Sequence, residues 1–221
     1  FAGGESTTDK AVDFDGSGDY LSLPSTTDLN LTGDFTIEFW VYPRSQSTSR
    51  QTILQTNRSF GAKYAVLQIQ NDTQSGLSKK AQLWDYDMNN GYAIAYSNAD
   101  IEEDEWTHIA FTRESGTIKI WINGKLDKTT TGLSDSIEFG DTSSFIGNHS
   151  NNYYLNAKLS NLRIVKGQAL YTTNFNVPSD PLTQTSQNAV SSNVKLLCCN
   201  GATAAASTVT PVTITANGDP T

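Results

Sequence analysis

The chain has 221 residues, of which 17% are charged and 37% hydrophobic, with 15 basic and 23 acidic side chains and a net charge of −8 at pH 7. A surface of that sign repels phosphate backbones and excludes sequence-independent nucleic-acid binding as the main activity. No apolar run approaches the ~20 residues of a membrane-spanning helix, and the length suits one all-β domain as well as two small ones.

Period-two alternation recurs along the chain, and no segment shows a convincing helical period. The first strands are expected at Ala11 to Phe14 and Tyr20 to Leu23. From Asp34 to Tyr42, Phe35, Ile37, Phe39 and Val41 share one face, Thr36, Glu38, Trp40 and Tyr42 the other, and Pro43 ends the run. Further strands are expected at Gln51 to Gln55, Tyr64 to Gln70, Ala81 to Asp85 and Tyr92 to Tyr96. In Thr107 to Arg113, Ile109 and Phe111 alternate with His108, Ala110 and Thr112. In Thr117 to Ile122, Ile118, Ile120 and Ile122 alternate with Lys119 and Trp121. The Asn123-Gly124 pair that follows is a two-residue hairpin signal. Phe145 to Gly147, Leu159 to Val165 and Val194 to Cys198 complete the set. Short strands separated by Gly, Asn, Asp and Ser turns predict an all-β fold, a two-sheet antiparallel jelly-roll sandwich.

Two stretches depart from this pattern. Gln168 to Ala189, with Pro178 and Pro181 among Thr, Asn and Ser, reads as a strap over the surface. Ala202 to Thr221 is Ala/Thr-rich with Pro211 and Pro220. It reads as a tail that orders only against a neighbour, or as a linker to a further domain. The expected organisation is one domain over residues 1–200, strap 168–190 included, and a tail or linker over 201–221. The start at Phe1 rather than Met suggests a piece cut from something longer.

Cys198 and Cys199 are adjacent. Consecutive Cα atoms lie about 3.8 Å apart, short of the roughly 4.4 Å at which ordinary disulfides begin. On a strand the two side chains also point to opposite faces. One buried and one outward thiol are expected, without a bridge, and two cysteines fall short of a four-ligand zinc site.

The opening Ala11-Val12-Asp13-Phe14-Asp15-Gly16-Ser17-Gly18-Asp19-Tyr20-Leu21 resembles the first hairpin of laminin-G-like, concanavalin A-like jelly rolls. Leu29 to Pro43, Trp106 to Arg113, the hairpin Ile120-Trp121-Ile122-Asn123-Gly124, and Ala157 to Gly167 with Ala169-Leu170-Tyr171 resemble later segments of that family in the same order. The phrasing from Leu162 to Tyr171, with the Cys-Cys strand and the Ala/Thr tail, is similar to lectin-like domains in structural proteins of tailed phages. The resemblance implies a jelly roll that hosts lectins, calcium-dependent adhesion modules, glycoside hydrolases or inert spacers, and fold alone does not choose among them.

Retaining glycosidases need two carboxylates about 5–5.5 Å apart. Glu103 and Glu105 in the acidic run Asp100 to Glu105 have suitable spacing, but the run sits in a turn where charges are solvated, and no alternating apolar frame surrounds it. His108 and His149 are the only histidines, too few for a convincing triad, and His108 is expected to pack or hydrogen-bond within its strand. No catalytic residue is assigned.

Sugar recognition needs ring faces beside planar amides and carboxylates. Two inter-strand segments supply both: Trp84, Tyr86, Asn89, Asn90 and Tyr92 in the first, and Asn151, Asn152, Tyr153 and Tyr154 in the second. Connections are where binding residues concentrate, although Asn in turns and rings at sheet edges also serve structure alone. Calcium takes six to eight oxygens. Asp85 with Asp87, or Asp141 with Asn148, could supply some of them. Asp13 to Asp19 looks like a calcium loop, but turn chemistry in a hairpin accounts for it more simply.

The expected function is non-enzymatic: a lectin-like module of a virion surface or fibre protein, attaching to glycans or to neighbouring virion subunits. Assembly is expected through termini that add strands to neighbours' open edges, giving a homo-oligomer. A secreted bacterial polysaccharide-binding or adhesion module is the alternative, and a glycoside hydrolase the third reading.

Overall fold

Residues 10–44, 50–56, 64–71, 76–86, 91–133, 135–149 and 153–221 are described in the computed structural model. In chain order the strands are β1 (Val12–Asp15), β2 (Tyr20–Leu23), β3 (Asn30–Leu31), β4 (Phe35–Pro43), β5 (Arg50–Thr56), β6 (Tyr64–Asn71), β7 (Gln82–Tyr86), β8 (Gly91–Tyr96), β9 (Thr107–Glu114) and β10 (Thr117–Ile122). There follow β11 (Lys125–Thr130), β12 (Ile137–Glu138), β13 (Ser144–Ile146), β14 (Asn148–His149), β15 (Tyr153–Tyr154), β16 (Asn156–Lys166), β17 (Val194–Cys198), β18 (Ser207–Val209) and β19 (Thr215–Asn217).

The expected two-sheet antiparallel sandwich is what forms. The first sheet runs β11-β10-β9-β4-β16-β17-β18, with β1 paired to the first half of β16. The second runs β19-β2-β13-β5-β6-β7-β8. Alternation places Phe35, Ile37, Phe39 and Val41 of β4, with Ile109 and Phe111 of β9, against Leu21, Leu54, Leu67, Leu83 and Ile146 of the opposite sheet. Each such side chain fully buried between the sheets contributes about 1.5–3 kcal/mol. Asn123 and Gly124, at φ of 49° and 76°, make the two-residue turn from β10 to β11. Positive φ at both central positions is what a type I′ hairpin requires.

β1 and β2 do not form a hairpin. β1 pairs with β16 in the first sheet, and β2 pairs with β13 and β19 in the second. The turn between them is a corner joining the layers. Gly16 and Gly18 take φ of 85° and 87°, and Asp15 Oδ1 accepts the Ser17 N–H at 2.6 Å. Asp19 is buried and accepts backbone N–H bonds from Asp219 at 2.8 Å and Asp15 at 3.3 Å. Burial pushes its carboxyl above the ordinary value, and those two bonds partly oppose the rise.

Residues 201–221 do not leave the sandwich as the expected tail. β18 extends the first sheet beyond β17, and β19 extends the second beyond β2. Ile214 and Ala204 join the core, and Asp13 and Thr221 exchange both of their backbone hydrogen bonds. Edge pairing and a buried Ile order a segment whose composition alone does not.

Residues 168–190 cross the outer face of the first sheet, where Tyr171 is buried with Ala110 and Trp121, and Leu182 with Val165 and Leu197. Backbone bonds tie it down: the Phe175 N–H reaches the Gly124 carbonyl at 2.9 Å, and the Leu182 N–H reaches Asn161 Oδ1 at 2.9 Å.

Candidate functional site

The two outer faces differ. On the first sheet, Glu38, His108 and Arg163 occupy positions that alternation turns away from the core, yet none reaches solvent, because the strap covers them. Arg163 donates to Glu38 Oε1 from Nε at 2.8 Å and from Nη2 at 2.5 Å. Tyr171 donates its hydroxyl to Glu38 Oε2 at 2.7 Å, and His108 Nε2 lies 3.3 Å from the same oxygen. The remaining Arg163 nitrogen, Nη1, reaches the Thr183 and Ser186 carbonyls of the strap. Burial alone would raise the Glu38 carboxyl, but its bond with His108, the Arg163 charge and the Tyr171 hydroxyl together hold it below the ordinary value. A glycosidase acid needs the opposite shift, and this carboxylate is occupied on both oxygens by a cation, an imidazole and a phenol.

Glu103 and Glu105 lie in the turn before β9, as expected, and Glu105 is exposed.

The outer face of the second sheet carries rings instead. Register places Phe145, Gln55, Val66 and Trp84 on one rung across β13, β5, β6 and β7. Tyr64 and Tyr86 are directly opposite one another one pleat further along. Their rings stack at 4.3 Å with planes 4° apart, and Trp84 lies 5.3 Å from Tyr86 at 10°. Trp84, an expected sugar contact, is 2% exposed. It donates Nε1–H to Gln82 Oε1 at 2.8 Å, and Gln82 is itself held by Gln68 and the Leu77 carbonyl. Trp84 therefore backs Tyr86 and offers no surface of its own.

The second expected segment forms a ribbon, β14 with β15, pairing Asn148 with Tyr154 and His149 with Tyr153. Opposed residues share a face, so the ribbon parts its two tyrosines. Tyr154 lies 6.4 Å from Tyr20, and Tyr20 meets Phe145 edge to face at 5.5 Å and 85°. Tyr153 lies beside His149 at 5.7 Å, with the Arg50 guanidinium 5.7 Å from its ring and bonded to His149 Nε2 at 2.6 Å. Tyr20, Phe145, Tyr154, Tyr153, Tyr64 and Tyr86 are all half-buried. Tyr20, Phe145, Tyr64 and Arg50 were not among the expected site residues. The signal that could have found Tyr20 and Phe145 is aromatic character at the outward positions of strands whose inward neighbours are Leu21 and Ile146.

Phe145 shares its rung with Trp84, so the Tyr20–Phe145–Tyr154 group lies alongside the Tyr64–Tyr86–Trp84 group with β5 and β6 between them, and the Arg50–Tyr153 contact lies toward the other end of the sheet. Tyr64 opposes Tyr86 at one end of β6, and Asn71 opposes Arg50 at the other. Seven residues of strand span about 23 Å. Asp87, Asn89, Asn90, Asn151 and Asn152 lie outside the described residues. Tyr92 is placed on β8 opposite Asp85.

Of the suggested calcium ligands, Asp141 and Asn148 are not brought together, while Asp87, the suggested partner of Asp85, lies outside the described residues. Asp85 points to the face away from Trp84 and Tyr86, since neighbours on a strand alternate. Asp141 is exposed and accepts from Asn30 Nδ2 at 2.5 Å. Asn148 is buried beyond the other end of β13, so that strand holds the two apart. Among the described residues, no group of three or more His, Cys, Asp or Glu side chains is placed to hold a metal ion.

No curated protein matches the chain. Solved structures match in fold. A protein of Bacteroides ovatus named for carbohydrate binding aligns with TM-score 0.62 at 18% identity, over 95% of this chain and 58% of its own. Domain 4 of AbnA, a GH43 extracellular arabinanase from Geobacillus stearothermophilus in complex with arabinotriose, aligns with TM-score 0.53 at 22% identity, over 67% of this chain and 66% of its own. The heptameric SAP-like pentraxin of Limulus polyphemus aligns with TM-score 0.51 at 15% identity, over 95% and 92%. This chain thus spans less than two thirds of the Bacteroides and arabinanase chains. A laminin G family model, described as the concanavalin A-like lectin/glucanases superfamily, matches residues 15–172. Two layers in this order and a match over most of the chain lead to one assignment: the chain belongs to the concanavalin A-like lectin/glucanases superfamily.

Proposed function

We propose that the chain is a non-catalytic, lectin-like module that binds a glycan on the outer face of its second sheet. The observation that carries this reading is the contrast between faces: the strap seals the first sheet, while half-buried rings line the second. Ring faces pack against the C–H patches of sugars, and nearby amides bond their hydroxyls. The patch of Tyr20, Phe145 and Tyr154 is the primary contact. Its rings meet edge to face or tilted, whereas Tyr64, Tyr86 and Trp84 are stacked on one another. The arabinotriose complex of the arabinanase domain and the name of the Bacteroides protein support a saccharide ligand.

The setting in this reading is an extracellular surface, that of a virion fibre or tail. It rests on the phrasing from Leu162 to Tyr171 and on a fold suited to display. A secreted bacterial module would use the same patch.

A glycan array tests the site. The wild-type chain, the double variant Tyr20→Ala/Tyr154→Ala and the double variant Tyr64→Ala/Tyr86→Ala are compared, with calcium and with a chelator. Binding by wild type that falls at least about tenfold, some 1.4 kcal/mol, in the first variant and less in the second is expected. Silence of the wild type in both buffers overturns glycan binding, and new reducing ends from soluble glucans overturn the non-catalytic reading. Signal lost in chelator adds an ion to the site.

A further inference from the structure

The turn that ends β17 carries two thiols side by side. Cys198 is 0% exposed and Cys199 1%, which corrects the expectation of one outward thiol. Strand alternation would send the two side chains apart, but Cys199 takes a φ of 60°, in the left-handed region that residues other than glycine seldom occupy. That rotation turns its side chain back, and the two Sγ atoms stand 3.7 Å apart. The turn is held from outside. Asn161, itself at φ of 54°, donates its N–H to the Cys199 carbonyl at 3.2 Å, and its Oδ1 accepts from the Leu182 N–H and from Asn200 Nδ2. A bulge of β16, the strap and the start of the C-terminal segment meet at this point. Cys199 also lines a cavity of about 390 Å³, with Lys10, Val12, Gly201, Ala204 and Thr221 among its walls.

We propose that Cys198 and Cys199 are an oxidisable pair that closes a vicinal disulfide in the folded protein and locks the turn launching β18 and β19. Two S–H bonds break and one S–S bond forms, and two electrons and two protons pass to the oxidant, for example a diazene that becomes a hydrazine. The sulfurs are already in contact, and adjacent residues have no loop to close. Cys199 borders this cavity, the side from which a small oxidant would approach. Its contact with the Cys198 thiol and its burial push the Cys199 thiol well above the ordinary value, so the oxidation, which also begins from a thiolate, is expected to be slow near neutral pH and to speed up as pH rises. A ring closed across one peptide unit is tighter than ordinary disulfides, whose Cα atoms sit about 4.4–6.8 Å apart. Such bonds are the readily reduced, switchable kind.

The test uses the whole chain in its folded state. It is treated with diamide, quenched in acid, unfolded, alkylated with iodoacetamide and weighed. The expected product is a monomer lighter by two hydrogens that takes up no alkyl group, with fragment masses placing the bond between residues 198 and 199 and a phosphine restoring both thiols. Cys199→Ser treated alike takes one alkyl group. Amide exchange over 207–217 is expected to slow in the oxidised chain. Two alkyl groups on the diamide-treated wild type, or covalent dimers alone, overturn the pair as a disulfide. Unchanged exchange over 207–217 overturns the lock.

Discussion

The Tyr171 hydroxyl donates to Glu38 Oε2 at 2.7 Å, so a residue of the strap completes the shell of a carboxylate buried on β4. The strap at that point has no strand or helix of its own. Its order comes from what it touches: the Tyr171 ring lies flat on Phe175 at 3.6 Å and 9°, and both rings meet His108 edge-on. A buried carboxylate with one cation is costly unless its remaining lone pairs are satisfied. Here the strap supplies the missing donor, and covering the polar face and ordering the strap become one event. Tyr171 is correspondingly hard to ionise: burial first, then the Glu38 charge, push its hydroxyl far above the ordinary range.

Removing that donor is expected to loosen the strap without unfolding the sandwich. Tyr171→Phe keeps the ring and loses one hydrogen bond to a charged group, at a cost of about 1.5–3 kcal/mol. Glu38→Ala leaves the Arg163 guanidinium buried without its counter-charge and is expected to cost about 3–5 kcal/mol. Urea unfolding measures both, and hydrogen exchange over 168–190 shows whether the strap opens first. Equal costs for the two variants would contradict the carboxylate as the hub.

Acid should release the same anchor. The Glu38 carboxyl is held below its ordinary value of 4.5 in the folded chain. A group depressed on folding contributes its stability in full above the unfolded value and loses it as pH falls through the folded one. Wild-type stability is therefore expected to decline as pH drops below 4.5. Glu38→Gln should start lower at neutral pH and decline less over that window. Urea midpoints taken down the acid limb check this, and parallel slopes for the two proteins would remove Glu38 from the titration.

Much of the frame was legible because a half-buried strand writes itself as alternation. Tyr20–Leu23, Thr117–Ile122 and Val194–Cys198 are strands with the bounds read from sequence. Period two does not say whether the second face is wet. Glu38, His108 and Trp121 occupy outward positions and are buried by an irregular strap. Pairing is equally invisible locally, so the turn after β1 looked like a hairpin and is a corner between sheets. Of the binding segments, Tyr86, Tyr153 and Tyr154 do sit half-buried beside strand ends, but Tyr86 stacks on Tyr64 of the preceding strand and Tyr154 meets Tyr20 from near the start of the chain. Cys199 was misread because a single left-handed residue reverses the alternation rule.

Gly124 separates turn chemistry from strap docking. A Cβ there would sit 2.2 Å from the Phe175 carbonyl oxygen, on backbone at φ of 76°, while Gly33 has the same φ and nothing within 4 Å. Gly33→Ala is expected to cost only the left-handed penalty, about 1–2 kcal/mol. Gly124→Ala carries that penalty plus a backbone collision, about 1–3 kcal/mol more, and should raise exchange around residue 175. Thermal and urea unfolding of the pair isolate the difference. Equal destabilisation would mean that the strap shifts without cost.

Ile214 decides whether the C-terminal segment belongs to the sandwich energetically as well as geometrically. It is 5% exposed and packs into the main core between β18 and β19. Ile214→Ala is expected to cost about 2–5 kcal/mol, as core truncations to Ala do. Val190→Ala, in the strap with Val190 51% exposed, should stay within about 0.5 kcal/mol. Loss of Ile214 packing would also free the open edges of β2 and β17, so the variant should associate more readily at high concentration, which light scattering would register. An Ile214→Ala chain as stable as Val190→Ala would mean that residues 201–221 dock without contributing, as a linker resting on the surface would.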